Sequence, residues 1–169
     1  ARINRYTVKL NAQEMRNANF SGYFKSAAYD LGYKFLDHWI NAKVISKSSV
    51  NRMTEAELSS DILACFLLQI QSSKAIETTY KKFEESEGEI PKARQRFESA
   101  VSAVSSIYTE EESAASAWSS KHMYFSLVTT IGHIQSPITG IREPSFTAHL
   151  FSNATKLKAI QNGSSTDYA

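Results

Sequence analysis

Residues 54–70 run TEAELSSDILACFLLQI, and this stretch decides the fold. Leu58, Ile62, Cys65, Phe66 and Ile70 recur at steps that put them on one side of an α-helix. Leu63, Leu67 and Leu68 make its flanks apolar too, and a helix apolar nearly all round belongs at the centre of a core. The spacing predicts a buried rod around which the rest of the chain packs.

Working outward, Phe20, Phe24, Ala27, Leu31, Phe35 and Trp39 mark the aromatic face of a long helix from about Ser21 to Ile40. Downstream, Ser72 or Ser73 caps a helix with the stripe Ile76, Thr79, Tyr80 and Phe83, closed by the charged turn Glu84 to Glu89 around Gly88. Pro91 suits the first turn of the next helix, which carries Ala93, Phe97, Val101, Val104 and Tyr108, so the two form an antiparallel pair. Lys121 to Gln135 places Tyr124, Phe125, Val128 and Ile131 on one side. Residues 137–144 predict a loop, and a last helix runs from about Ser145 to Gln161, with Phe146, Leu150, Leu157 and Ile160 buried and Gly163 ending it. Capping boxes mark three helix starts, at Asn11/Glu14, Thr54/Glu57 and Thr109/Glu112, and Leu10 is placed to staple onto Met15.

At 169 residues and 42% apolar, the chain suits one well-buried domain. Glycines number 6 and prolines 3, and the apolar residues lack sustained alternation. The expected fold is all-α: an irregular bundle of about six to eight helices behind a short strand-like or extended N-terminal remnant. Residues 1–10 are that remnant, 11–162 the helical domain and 163–169 a flexible tail.

A single cysteine, Cys65, excludes a disulfide framework and a cysteine-ligated zinc site and fits a reducing compartment. The longest apolar runs fall short of the roughly 20 residues that span a bilayer, and no leader pattern opens the sequence. A cytoplasmic protein without a membrane partner is expected, in which the sequon at Asn153 has no role. Residue 1 is alanine, which together with the opening stretch favours a fragment of a longer protein. Net charge is +2 but uneven: residues 1–53 carry 9 Lys/Arg against 3 Asp/Glu, residues 54–115 carry 6 against 12, and residues 116–169 carry 4 against 2. The basic first third is the side for phosphate or nucleic acid, and an ordinary solvated surface accounts for the same charges.

The candidate nucleotide- or DNA-binding residues are Arg2, Asn4, Arg5, Lys9, Arg16 and Asn17, because guanidinium forks and amide donors suit phosphate oxygens. Arg16 and Asn17 alternatively fix a junction between domains. The cluster Lys92-Ala93-Arg94-Gln95-Arg96 opens a helix, where cations oppose the macrodipole, and pairing with Glu84 to Glu89 explains it best. His38, His122, His133 and His149 show no i, i+4 pair, so no metal site is expected. Trp39 and Trp118 sit at core spacings rather than on a stacking platform. No glycine-rich phosphate loop, serine elbow or zinc motif occurs, and no catalytic residue is assigned.

The order Arg2-Ile3-Asn4, a polar gap, Leu10-Asn11-Ala12-Gln13-Glu14-Met15-Arg16-Asn17-Ala18, then Phe20, Gly22 and Phe24 resembles the ParB-like nuclease/NTPase family of GmrSD-type modification-dependent restriction and phage-defence proteins. In that family an arginine-x-asparagine element closes the ParB-like domain and a leucine-x-x-x-glutamate-leucine-arginine-asparagine-alanine helix follows. Arg52-Met53-Thr54 to Leu68 resembles the arginine-methionine start of the family's next apolar helix. Arg5-Tyr6 departs from the usual small or glycine-rich loop, and Met15 replaces a leucine. The family's aspartate-glycine-glutamine-glutamine-arginine-like signature does not occur in these residues. The resemblance implies a helical accessory fragment that is not catalytic alone, with nucleotide and divalent metal belonging to the parent. Its implied partners are a preceding ParB-like domain, DNA and a second copy of the chain. The alternative is a non-enzymatic helical scaffold for protein–protein interaction.

Overall fold

The computed structural model describes residues 9–68 and 75–135, and every regular element among them is helical. The order is α1 (Ala12–Asn19), α2 (Tyr23–Lys34), α3 (Leu36–Asn41), α4 (Lys47–Val50), α5 (Thr54–Leu68), α6 (Ala75–Lys82), α7 (Ile90–Ile107), α8 (Glu110–Ala114), a 3₁₀ turn (Ala117–Ser119) and α9 (Lys121–Gln135). The all-α bundle is as expected, and α5 is its axle: it packs on α1, α2, α4, α6, α7 and α9. Leu58, Ile62, Leu63, Ala64 and Cys65 are all buried on it.

The packing of α2 on α5 is the most extensive in the bundle, and small residues line it. Ala28 and Gly32 on α2 face Ser59 on α5, and a methyl at Gly32 would come within 3.2 Å of the Glu55 carbonyl. Ser59 Oγ reaches 2.6 Å across the interface to the Ala28 carbonyl oxygen, so the buried hydroxyl is satisfied. Aromatic rings fill the space on either side. Phe24 meets Tyr80 edge-on at 4.7 Å, and Phe35 stacks on Phe97 at 5.8 Å. Trp39, Phe97 and Tyr124 complete a fully buried cluster joining α3, α7 and α9.

Two expectations change. The single helix expected over 21–40 is two, because at Phe35 the chain adopts φ −103°, ψ 7° as its ring settles against Phe97 and Trp39. With the one-turn α4, this gives nine α-helices among the described residues, in keeping with the expected irregular bundle. The Thr54/Glu57 capping box does not form: the Thr54 hydroxyl donates to the Ser49 carbonyl at 2.9 Å, and Glu57 pairs with Lys121. The boxes at Asn11 and Thr109 are complete. The extended remnant at 1–10 lies outside the described residues except for Lys9 and Leu10, which carry no regular structure. The loop at 137–144, the helix at 145–161 and the tail at 163–169 also lie outside them.

Gly22 starts α2 where a Cβ would run into the backbone of Glu84, which cannot swing away as a side chain does. Gly22→Ala is expected to cost about 1–3 kcal/mol in urea unfolding. Ser26→Ala, an exposed position on α2, stays within about 0.5 kcal/mol.

Candidate functional site: the α1 edge

Arg52, in the turn before α5, binds three parts of the chain forty residues upstream. Its Nη2 donates to the Lys9 carbonyl at 3.2 Å, its Nε meets Glu14 Oε1 at 3.1 Å, and its own carbonyl accepts from Asn11 Nδ2 at 2.8 Å. Glu14 and Asn11 are also the two halves of the α1 capping box, joined at 2.6 Å and 2.8 Å. The same two side chains thus start the helix and attach it to α5. Met53 turns the chain into α5 at φ 58°, a left-handed conformation costly for a side chain of this size, and its Sδ accepts from the Tyr29 hydroxyl at 3.4 Å.

A buried row of hydrogen bonds seats the other face of α1. Arg16 Nε donates to Gln13 Oε1 at 2.9 Å, and Gln13 Nε2 donates to Tyr80 Oη at 3.0 Å. Tyr80 Oη lies 2.8 Å from Ser60 Oγ, which reaches the Ala56 carbonyl at 2.6 Å. Because the Ser60 proton goes to that carbonyl, the Tyr80 proton goes to Ser60. Gln13, a polar residue at 1% exposure, is thereby fully satisfied. Burial raises the neighbouring Tyr29 phenol above its ordinary value, against an opposing hydrogen bond from Gln13.

The expected phosphate contacts fall on this edge as far as they are described. Arg2, Asn4 and Arg5 lie outside the described residues. Lys9 is exposed, with only its backbone tied to Arg52. Arg16 is partly exposed and oriented by Gln13. Asn17 contributes its carbonyl, which with that of Phe20 accepts from Lys25 Nζ at 2.8 and 2.9 Å. Lys25, which the sequence did not single out, is thus a cation at the C-terminal end of α1, where the helix dipole favours it. The expected staple leaves Leu10 56% and Met15 51% exposed, so α1 also carries an uncovered apolar pair.

The other candidates are structural. The 92–96 cluster does not pair with Glu84 to Glu89: Arg94 meets Asp30 at 3.1 Å and Glu98 at 3.5 Å, while Arg96 donates to the Gly132 carbonyl at 2.8 Å and lies over the Phe66 ring. Glu84 instead accepts from the Ser21 amide and hydroxyl, and these bonds hold its carboxyl below the usual value. His38 meets Glu110 at 3.1 Å, His133 meets the Thr129 carbonyl at 2.7 Å, His122 is exposed, and His149 lies outside the described residues. Among the described residues no group of three His, Cys, Asp or Glu is placed to hold a metal ion, and no helix is long and apolar enough to cross a membrane. Trp39 is core, and Trp118 packs against Tyr108 at 6.1 Å.

Arg52→Met removes the side-chain half of the clasp while keeping bulk. It is expected to speed amide exchange across residues 12–19 and lower stability by about 1–3 kcal/mol, the range for leaving a partly buried partner unmet. Arg52→Lys restores only part of this, since an ammonium cannot reproduce the guanidinium fork.

No protein-family model, no curated protein and no solved structure matches this chain.

Proposed function

We propose that the chain is the helical accessory part of a cytoplasmic ParB-like restriction or phage-defence protein of the GmrSD type, with the α1 edge carrying DNA contacts and coupling the preceding domain to α5. The observation that supports this reading is the Arg52 clasp. The two segments that carry the resemblance, 2–24 and 52–71, are distant in sequence, and their described parts are bonded directly in space through Arg52, Lys9, Asn11 and Glu14. A helix pinned to the axle of the bundle at both faces transmits a displacement instead of absorbing it. Lys9 and Arg16 stand on that edge as cations for phosphate, and catalysis belongs to the parent rather than to this chain.

A second reading, a protein–protein scaffold, draws on the half-exposed Leu10 and Met15, an apolar pair on the same edge. The two readings separate in one experiment. On the first, the chain binds duplex DNA with an affinity that falls steeply with salt, and replacing Arg2, Arg5, Lys9 and Arg16 by Gln flattens the salt dependence by roughly one unit of slope for each phosphate left without its cation. Lys81→Gln and Lys82→Gln on exposed α6 positions serve as the charge control and leave the slope nearly unchanged. Absence of DNA binding, with sedimentation that changes with protein concentration and is abolished by Leu10→Ser and Met15→Ser, decides for the scaffold.

A further inference from the structure

Between α5, α6 and α9 lies a cavity of about 200 Å³, walled by Leu58, Ala64, Ile76 and Phe125, with Asp61, Lys121 and His122 as its polar residues. It has room for a ligand of several heavy atoms rather than a single water. We infer that it is a binding site for an alkyl-ammonium or alkyl-guanidinium group, with the Asp61 carboxylate at the charged end and Leu58, Ile76 and Phe125 along the stem. This site is separate from the α1 edge and stands whether or not that edge binds DNA.

Three features carry the assignment. Among the described residues nothing donates a hydrogen bond to the Asp61 carboxylate and no cation pairs with it directly, although the residue is half-buried. The nearest ammonium, Lys121, is committed to Glu57, and the Arg16 Nε is spent on Gln13. Leu58, Ala64, Ile76 and Phe125 supply an apolar wall beside Asp61, suited to an alkyl stem. With Lys121 paired to Glu57, the charge in the lining left without a counter-ion is the Asp61 carboxylate, which a cation would partner. Burial foremost, and then Glu57, pushes the Asp61 carboxyl up to about 6, with Arg16, Lys121 and His122 pulling the other way. Above that value Asp61 is charged and attracts the ligand. As pH falls through it the carboxyl takes up a proton and the attraction is lost.

The test titrates the isotope-labelled chain with n-butylguanidinium, which stays charged throughout, and follows the amides of Asp61, Ala64 and Phe125. Binding is expected to weaken about tenfold from pH 7 to pH 5, as the ionised fraction of a group titrating near 6 dictates. Asp61→Asn is expected to abolish it, and n-butanol, neutral with the same stem, to bind far more weakly. In the unaltered chain, the carbon shift of the Asp61 carboxyl should titrate at lower pH once the guanidinium is present, a measurement that needs no variant to fold. Equal binding of n-butanol, retained binding in Asp61→Asn, or an unmoved Asp61 midpoint would each overturn the inference. Tighter binding of an acetylated Gly-Arg-Gly amide than of n-butylguanidinium assigns the site to an arginine side chain of a partner, and the reverse order to a free small cation.

Discussion

Everything else in the bundle is arranged around the contact in which Ala28 and Gly32 of α2 lie against Ser59 and the Glu55 carbonyl of α5. Backbones this close leave no space for large side chains at the crossing, so the bulky residues of both helices are displaced to either side. Two aromatic groups pack around the crossing, Phe20, Phe24 and Tyr80 in one and Phe35, Trp39, Phe97 and Tyr124 in the other. Ser59 makes the approach tolerable, since a methyl in place of its hydroxyl would leave the crossing without its one polar tie.

The second level of organisation is polar. Alpha-helical bundles usually keep their hydrogen bonds within helices, yet α1, which buries little apolar surface, is attached by side-chain bonds through Arg52 on one face and Gln13 on the other. A short helix of this kind gains its stability from the body it is fastened to rather than from its own propensity. The same logic appears at α9, where Arg96 reaches the Gly132 carbonyl and lies over Phe66, while Gly132 leaves room for that ring.

How much of this was legible in the sequence follows from which signals are local. The stripes of α5, α7 and α9 were visible because burial repeats with the helix period, and the boxes at Asn11 and Thr109 because all their partners lie within three residues. The box at Thr54 failed because distant and neighbouring groups, Lys121 and the Ser49 carbonyl, claim both its members. The break at Phe35 carries no glycine or proline to announce it and is imposed by the rings it meets. Gln13 passes for an exposed polar residue until Tyr80, far along the chain, is placed against it. Asp61 sits among the apolar residues of α5 and is indistinguishable there from an ordinary polar position on a helix. Of the candidate site, the start of α1 at Asn11 was readable, and the Arg52 clasp that fastens it to α5 was not.

The row from Arg16 through Gln13, Tyr80 and Ser60 has a direction. Every proton points inward from the surface toward the Ala56 carbonyl, and reversing it would turn the Gln13 amide so that its NH₂ faced the guanidinium, donor against donor. The row therefore reads one way only, and α1 seats on α5 with this polarity alone.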